Sequence, residues 1–226
     1  MDLTAVQLGE RTETRLLQHV LKTAEKDNAE SVLKAVDEYC ENVSWMMCVG
    51  PIKGALVDTY VRSCNPRTAL ELGTYCGYSA VRIASGLQQP SSKLISLEIS
   101  AANVEIATQM VHHAGLSSKV QVVHGILSTK IDELKQQLKS MGASTFDFVF
   151  IDHYKQFYLP DFLLLKEAGL ISKGTVILAD NMIRPGAPAY RSYMESHKED
   201  MDVVEHKTWL EYSSQLPDSI MVSTLK

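Results

Sequence analysis

After Pro66 the sequence changes rhythm, and that change constrains the fold more than any other feature. Short apolar, β-favouring runs at positions 68–72, 93–98, 120–124, 146–151 and 175–179 read as strands. Amphipathic stretches at 79–87, 101–114, 129–141 and 159–168 lie between them and read as helices. Strands joined through helices run parallel, because a tight hairpin joins only antiparallel neighbours. The expected fold class is therefore α/β, a mostly parallel sheet with helices on both faces. Before Pro66, Leu16, Leu17, Val20 and Leu21, then Val32, Leu33, Val36 and Tyr39, recur at three-to-four spacing. This predicts two or three helices over 11–64, with Asn28 as an N-cap. Beyond Pro188 one more helix is expected, then strands at 203–206 and 220–224 that can complete the sheet. With no repeat, low-complexity stretch or linker, the 226 residues read as one domain.

Charge and cysteine usage narrow the partners. Lysine and arginine total 22 against 27 acids, a net charge of −5, with no basic cluster of the kind that grips nucleic acid. No apolar run approaches the roughly 20 residues that span a bilayer, so membrane insertion is not expected. Cys40, Cys48, Cys64 and Cys76 form no CxxC pair, and the N-terminus lacks the charged-then-apolar profile of an export signal. Free thiols in a reducing cytoplasm are expected.

In a sheet of this kind ligands bind beyond the carboxyl ends of the strands. The first strand runs into Glu71-Leu72-Gly73-Thr74-Tyr75-Cys76-Gly77-Tyr78-Ser79, a glycine-containing turn that lets backbone approach a ligand before a helix begins. The second ends in Glu98, 25 residues beyond Gly73, where a carboxylate can accept both hydroxyls of a ribose. The pair points to a nucleoside cofactor and leaves a nicotinamide dinucleotide and S-adenosylmethionine both open. The absence of a full GxGxxG favours a cofactor without a pyrophosphate. A tight turn followed by a solvated glutamate is the plainer alternative. The fourth strand ends in Asp152-His153-Tyr154-Lys155 and the fifth in Asp180-Asn181. Two carboxylates and an amide oxygen at neighbouring strand ends suit Mg²⁺ better than Zn²⁺, which prefers histidine or thiolate. Capping of the next turn by Asp180 and Asn181 is the simpler reading of those two.

Together the quoted motifs resemble the animal-type, soluble catechol O-methyltransferase family from about Thr12 to Thr224. The resemblance is carried by Trp45-Met46-Met47-Cys48-Val49-Gly50, Lys53-Gly54, the Glu71–Arg82 turn and helix, and Tyr158-Leu159-Pro160-Asp161. Lys173-Gly174-Thr175-Val176, Ala179-Asp180-Asn181, Pro185-Gly186 and Leu210-Glu211-Tyr212 complete it. The resemblance implies a Rossmann-like class I methyltransferase fold with seven strands, the last antiparallel. Residues 1–65 would supply helices covering the site and residues 66–226 the core. It also implies S-adenosylmethionine and Mg²⁺ as cofactors, a small-molecule catechol as substrate, and a monomer. By the same resemblance Asp152, Asp180 and Asn181 hold the metal, Lys155 is the general base, and Glu211 holds the second catechol hydroxyl. Trp45 and Pro185 wall the ring, with Asp152, Lys155 and Asn181 also against the substrate. Cofactor contacts would come from Met47, Val49, Glu71, Gly73, Tyr75, Ser79, Glu98, Ile99, Leu127, Ser128, Asp152, His153 and Tyr154.

Such a site would work by chelating both oxygens of the diol, with Lys155 accepting the proton of the attacking hydroxyl. Departures from the family pattern lie at the rim. Tyr154 stands where a tryptophan is usual, Leu127-Ser128 where a serine-glutamine pair is, Arg184 where an apolar residue is, and Ser213 where a methionine is. Arg184 suggests a preference for catechols bearing a carboxylate. Two other readings compete: a related metal-dependent methyltransferase of coenzyme A-linked phenylpropanoids, and a catalytically silent binding or chaperone protein on this scaffold. The Trp45 segment and Glu211 argue against the first, and the complete set Asp152, Lys155, Asp180, Asn181 and Glu211 against the second.

Overall fold

Strand β1 (Thr68–Leu72) lies in the middle of a seven-stranded sheet and is buried along its whole length. A computed structural model describes residues 11–226; the first ten, on which the reading of the export signal partly rests, lie outside the described residues. The strands are β2 (Lys93–Glu98), β3 (Val120–His124), β4 (Phe148–Ile151), β5 (Val176–Ala179), β6 (Met201–Trp209) and β7 (Pro217–Leu225), in the order β3-β2-β1-β4-β5-β7-β6. Strands β1 to β5 pair in parallel, and β7 runs antiparallel to both β5 and β6. The seven-stranded sheet with one antiparallel strand, the last, is the arrangement expected.

Alternation along each strand divides the core in two. Ala69, Leu94, Phe148, Phe150, Leu178, Ile220 and Val222 face one side. Covering them are α1 (Thr12–Thr23), α2 (Ala29–Asn42), α3 (Gly50–Cys64), α4 (Tyr78–Gly86) and α5 (Ala101–His113). Leu70, Leu72, Ile95, Leu97, Val149, Ile151 and Ile177 face the other, under α6 (Leu127–Ser140), α7 (Tyr158–Glu167) and α8 (Pro188–Ser196). Three helices precede the first strand where two or three were expected, and Asn28 caps α2 by accepting from the Ser31 amide at 3.1 Å. Among the described residues no helix is long and apolar enough to cross a membrane.

The sequence places β1, β2 and β3 at their observed bounds and misjudges the ends of the others. β4 starts two residues late: the Phe146 amide donates away from the sheet to the Leu170 carbonyl, and Asp147, though its main chain still reaches Thr68 and Val176, spends its carboxylate on the Arg67 and Thr68 amides. Thr175 belongs to a turn, its amide donating to the Ser172 carbonyl. β6 and β7 are much longer than their apolar runs. β6 is an edge strand whose residues include the exposed Asp202 and Lys207 and the half-buried Glu205, so pairing with β7 continues where hydropathy stops.

The order reverses between β1 and β4, which opens a crevice beyond their carboxyl ends. Phe150 on β4 is wholly buried next to that crevice, whereas Phe157 is half-exposed. Phe150→Ala is expected to cost ~3–5 kcal/mol in chemical denaturation, and Phe157→Ala less than about 1 kcal/mol.

Candidate active site

Gly73 ends β1 with a φ of +99°, and a Cβ there would stand 2.5 Å from the carbonyl oxygen of Asp152. Only glycine lets the β1 turn lie against the tip of β4. The turn continues through Tyr75, whose amide donates to Glu98 Oε2 at 2.8 Å, while the Ser100 amide donates to Glu98 Oε1 at 2.9 Å. Two backbone donors thus fix the carboxylate at the end of β2.

These tips surround a cavity of about 830 Å³, within the range of small-molecule sites. Met47, Val49, Gly73, Tyr75, Ser79, Glu98, Ile99, Leu127, Ser128, Asp152, His153 and Tyr154 line it, as do Lys155 and Pro185. Of the thirteen residues expected around a cofactor, Glu71 alone is absent from the wall; it is fully buried in β1.

Lys155 stands at one edge of the cavity. Its ammonium donates to Asp152 Oδ1 at 3.0 Å and to Asn181 Oδ1 at 3.1 Å, and also to the Tyr158 hydroxyl, which donates onward to the Asp180 carbonyl at 3.0 Å. His153, next in line, bonds through Nε2 to Asp161 at 2.8 Å and stacks on Tyr158. The strand tips therefore bring Asp152, Lys155 and Asn181 together as expected.

Behind this edge lies a cluster that sequence reasoning missed. Lys53, on α3 and 1% exposed, holds its ammonium 2.8 and 2.9 Å from the two oxygens of Asp180, 2.9 Å from Glu211 Oε2 and 3.1 Å from Asp218 Oδ2. Burial opposes its charge, but the fields of Asp180, Glu211 and Asp218 overcome that and hold its pKa above the ordinary lysine value. Burial lifts Asp180 to about 6, with Lys53 pulling against it. Asp218 is also opposed by burial, yet Lys53 and the amides of Arg184 and Ile183 bring it below the usual carboxylate value. Asp180, Asn181 and Glu211 lie beneath the large cavity rather than on its wall; Glu211 and Lys53 instead border a second hollow of about 380 Å³ beside Trp209. Trp45 is 51% exposed on neither wall, its indole donating to the Glu211 carbonyl at 3.2 Å. The signal for Lys53 was present: Gly50, Lys53, Gly54, Val57 and Val61 form the buried stripe of α3, and a lysine on such a stripe needs partners. Asp218 follows Pro217 and gave no comparable sign.

Residues 23–211 match the O-methyltransferase family. Catechol O-methyltransferase of Mus musculus is 42% identical over 91% of this chain and 76% of its own length, and that of Bos taurus 44% identical over 91% and 74%. The chain belongs to the O-methyltransferase family, in its catechol O-methyltransferase branch. An O-methyltransferase of Bacillus cereus, crystallised with SAH, shares the fold at 24% identity, with a TM-score of 0.67 over 98% of this chain and 94% of that one. In this methyltransferase the four departures from the family pattern fall in three places. Tyr154, Leu127 and Ser128 line the large cavity, whereas Ser213 borders the smaller one and Arg184 borders neither.

Glu71 gives the methyltransferase a pH signature. Complete burial raises its pKa to about 7 from 4.5, against the opposing hydroxyls of Ser79 and Ser96. A carboxyl with a raised folded value favours the fold fully below the unfolded value and loses that contribution as pH rises through about 7. Glu71→Gln is therefore expected to flatten the fall in melting temperature between about pH 5 and 8. At about pH 8 it should melt higher than the parent by ~2–4 °C for each kcal/mol recovered. A parallel pH profile for the two proteins would refute this.

Proposed function

We propose that this chain transfers the methyl group of S-adenosylmethionine to one hydroxyl of a catechol, with Mg²⁺ at the tips of β4 and β5. The observation that carries the reading is the single ammonium of Lys155 bridging the oxygens of Asp152 and Asn181 at the edge of the cavity. It supports a place where a cation, a proton acceptor and a ligand chamber meet.

The donors fit a hard dication. Asp152, Asp180 and Asn181 offer oxygen alone, and the four carboxylates Asp152, Asp180, Glu211 and Asp218 face only two ammonium groups, Lys53 and Lys155. Two negative charges remain uncompensated, which matches one divalent ion. Among the described residues no three of His, Cys, Asp and Glu form a ready metal cluster, consistent with a ligand set whose third member is an amide. Mg²⁺ bound there would stabilise the ionised diol as a Lewis acid.

The remaining chemistry falls to side chains. Glu98, held by two amides, keeps free lone pairs for the ribose hydroxyls, and Met47, Val49, Tyr75, Ser79, Ile99, Leu127, Ser128, His153 and Tyr154 enclose the rest of the cofactor. Glu71 lies below the floor, off the cavity wall. S-adenosylmethionine supplies the methyl group on a sulfonium. Lys155 Nζ, as the neutral amine left once its ammonium has released a proton to solvent, takes the proton of the attacking hydroxyl, Glu211 accepts from the second hydroxyl, and Trp45 and Pro185 flank the ring. Transfer between a catecholate and a sulfonium would cancel opposite charges and leave these side chains no new charge to stabilise. A water-poor chamber therefore contributes mainly alignment, on the order of 7–11 kcal/mol.

A methylation assay with an unsubstituted catechol tests the reading. Protein stripped by a chelator is expected to be inactive and to recover with Mg²⁺, and Lys155→Met to lose about 10²–10⁴-fold in kcat while still binding SAH in calorimetry. Activity on coenzyme A-linked phenylpropanoids alone, or cofactor binding without any turnover, would replace this reading with one of its competitors. Arg184 is exposed beside Pro185, so its preference for an acidic catechol is set in high dielectric. Arg184→Ala is expected to lower kcat/KM for carboxylated over amine-bearing catechols by about fivefold or less.

A further inference from the structure

Asn181 is an amide with its two ends in opposite fields. Its Nδ2 donates to Asp218 Oδ2 at 3.0 Å and lies 3.4 Å from Glu211 Oε2, while its Oδ1 accepts from Lys155. Turning the amide over would set a carbonyl against two carboxylates and an N–H against an ammonium, so the surroundings permit one orientation. The backbone adds to the constraint, since Asn181 adopts a left-handed conformation at φ +53°.

The same Asp218 carboxylate uses its other oxygen to accept from the amides of Ile183 and Arg184, both at 3.1 Å. It therefore ties the amide of Asn181 to the loop that carries Pro185. Lys53 completes the arrangement. Its ammonium has three hydrogens and three carboxylate partners, at distances of 2.8–3.1 Å, and those partners belong to the tip of β5, the loop after β6, and β7. Glu211 is pressed from behind as well: Gly50, at φ +72°, lies so close that a Cβ there would stand 3.3 Å from the Glu211 Cβ.

We infer that Lys53 and Asp218 are positioning residues: Asp218 aims the Asn181 oxygen and the Pro185 loop, and Lys53 aims Glu211 and Asp180, without either touching substrate. Neither lines the large cavity, and both are almost fully buried. The inference rests on the catechol reading above, because its consequence is felt by the diol and not by the cofactor. The two halves of the site are separately built. Cofactor-side groups hang mostly on the turns after β1 to β4, whereas Asp180, Asn181 and Glu211 hang on this buried pair.

The test uses two substitutions in the full chain. Asp218→Asn replaces one acceptor oxygen by a donor and so opposes either Asn181 Nδ2 or the two loop amides. Lys53→Arg keeps the charge but cannot direct a planar guanidinium at three carboxylates grouped around one nitrogen. For each, KM for unsubstituted catechol is expected to rise about tenfold to hundredfold, the scale of one or two charge-assisted hydrogen bonds. KM for S-adenosylmethionine and the SAH dissociation constant from calorimetry are expected to stay within about twofold of the parent. Variants that bind SAH normally and keep the parental KM for catechol would overturn the inference. So would a loss of SAH affinity in Lys53→Arg equal to its loss of catechol affinity, which would mark a general structural role. A parent chain that binds SAH but methylates no catechol would instead remove the reading on which the inference stands, and the inference with it.

Discussion

A parallel sheet covered on both faces leaves its chemistry one place to go. Main-chain groups within the strands are spent on the ladder and side chains on both faces are buried, so only the strand tips can meet a ligand. Every feature of the site follows from that restriction. The order reverses between β1 and β4, their outgoing turns part, and Gly73 allows the two backbones to close to a distance no side chain would tolerate. The cavity is as much a consequence of topology as of the residues around it.

Electrostatic satisfaction is the second constraint, and it is expensive in a buried place. Removing an ammonium and three carboxylates from water carries a penalty of several kcal/mol per ion, repaid only where geometry is good and other donors fill the remaining lone pairs. Here Asp218 has two amides besides Lys53, and Asp180 accepts from the Asn181 amide at 2.6 Å. Glu211 keeps one buried oxygen without a partner, and so does Glu71. Four other buried side-chain atoms among the described residues also lack a partner, on His19, His153, Tyr190 and Thr208, and of these only His153 lines the large cavity.

Legibility in the sequence tracks the range of the interaction. Strands β1 and β2 were read to the residue because burial on both faces makes them nearly continuous apolar runs, and Asn28 because its bond to Ser31 is local. The ends of β6 and β7 were not, since an edge hairpin holds its register through main-chain pairing that side-chain hydropathy does not report. The cofactor side of the site was legible for the same reason as the core: turns such as Gly73–Ser79 sit next to the strands that define them. On the diol side Asp152, Asp180 and Asn181 were legible as oxygen donors at neighbouring strand ends, the roles of Lys155 and Glu211 only through family resemblance, and the pairing of Lys53 with its acids not at all. Lys53 meets its partners 127, 158 and 165 residues away, and no periodicity within α3 could say which acids would arrive.

Those separations carry a consequence for how the molecule is made. On a ribosome the helices bearing Lys53 emerge early and β7 comes last, so a nascent chain can assemble β1 to β5 and their helices while the ammonium still lacks Asp218. Until the final hairpin docks, a buried cation would be short of a counter-charge, which favours leaving α3 loosely seated. The Lys53 end of the site is thus fastened only when the last hairpin docks, through a contact that closes a loop of 165 residues.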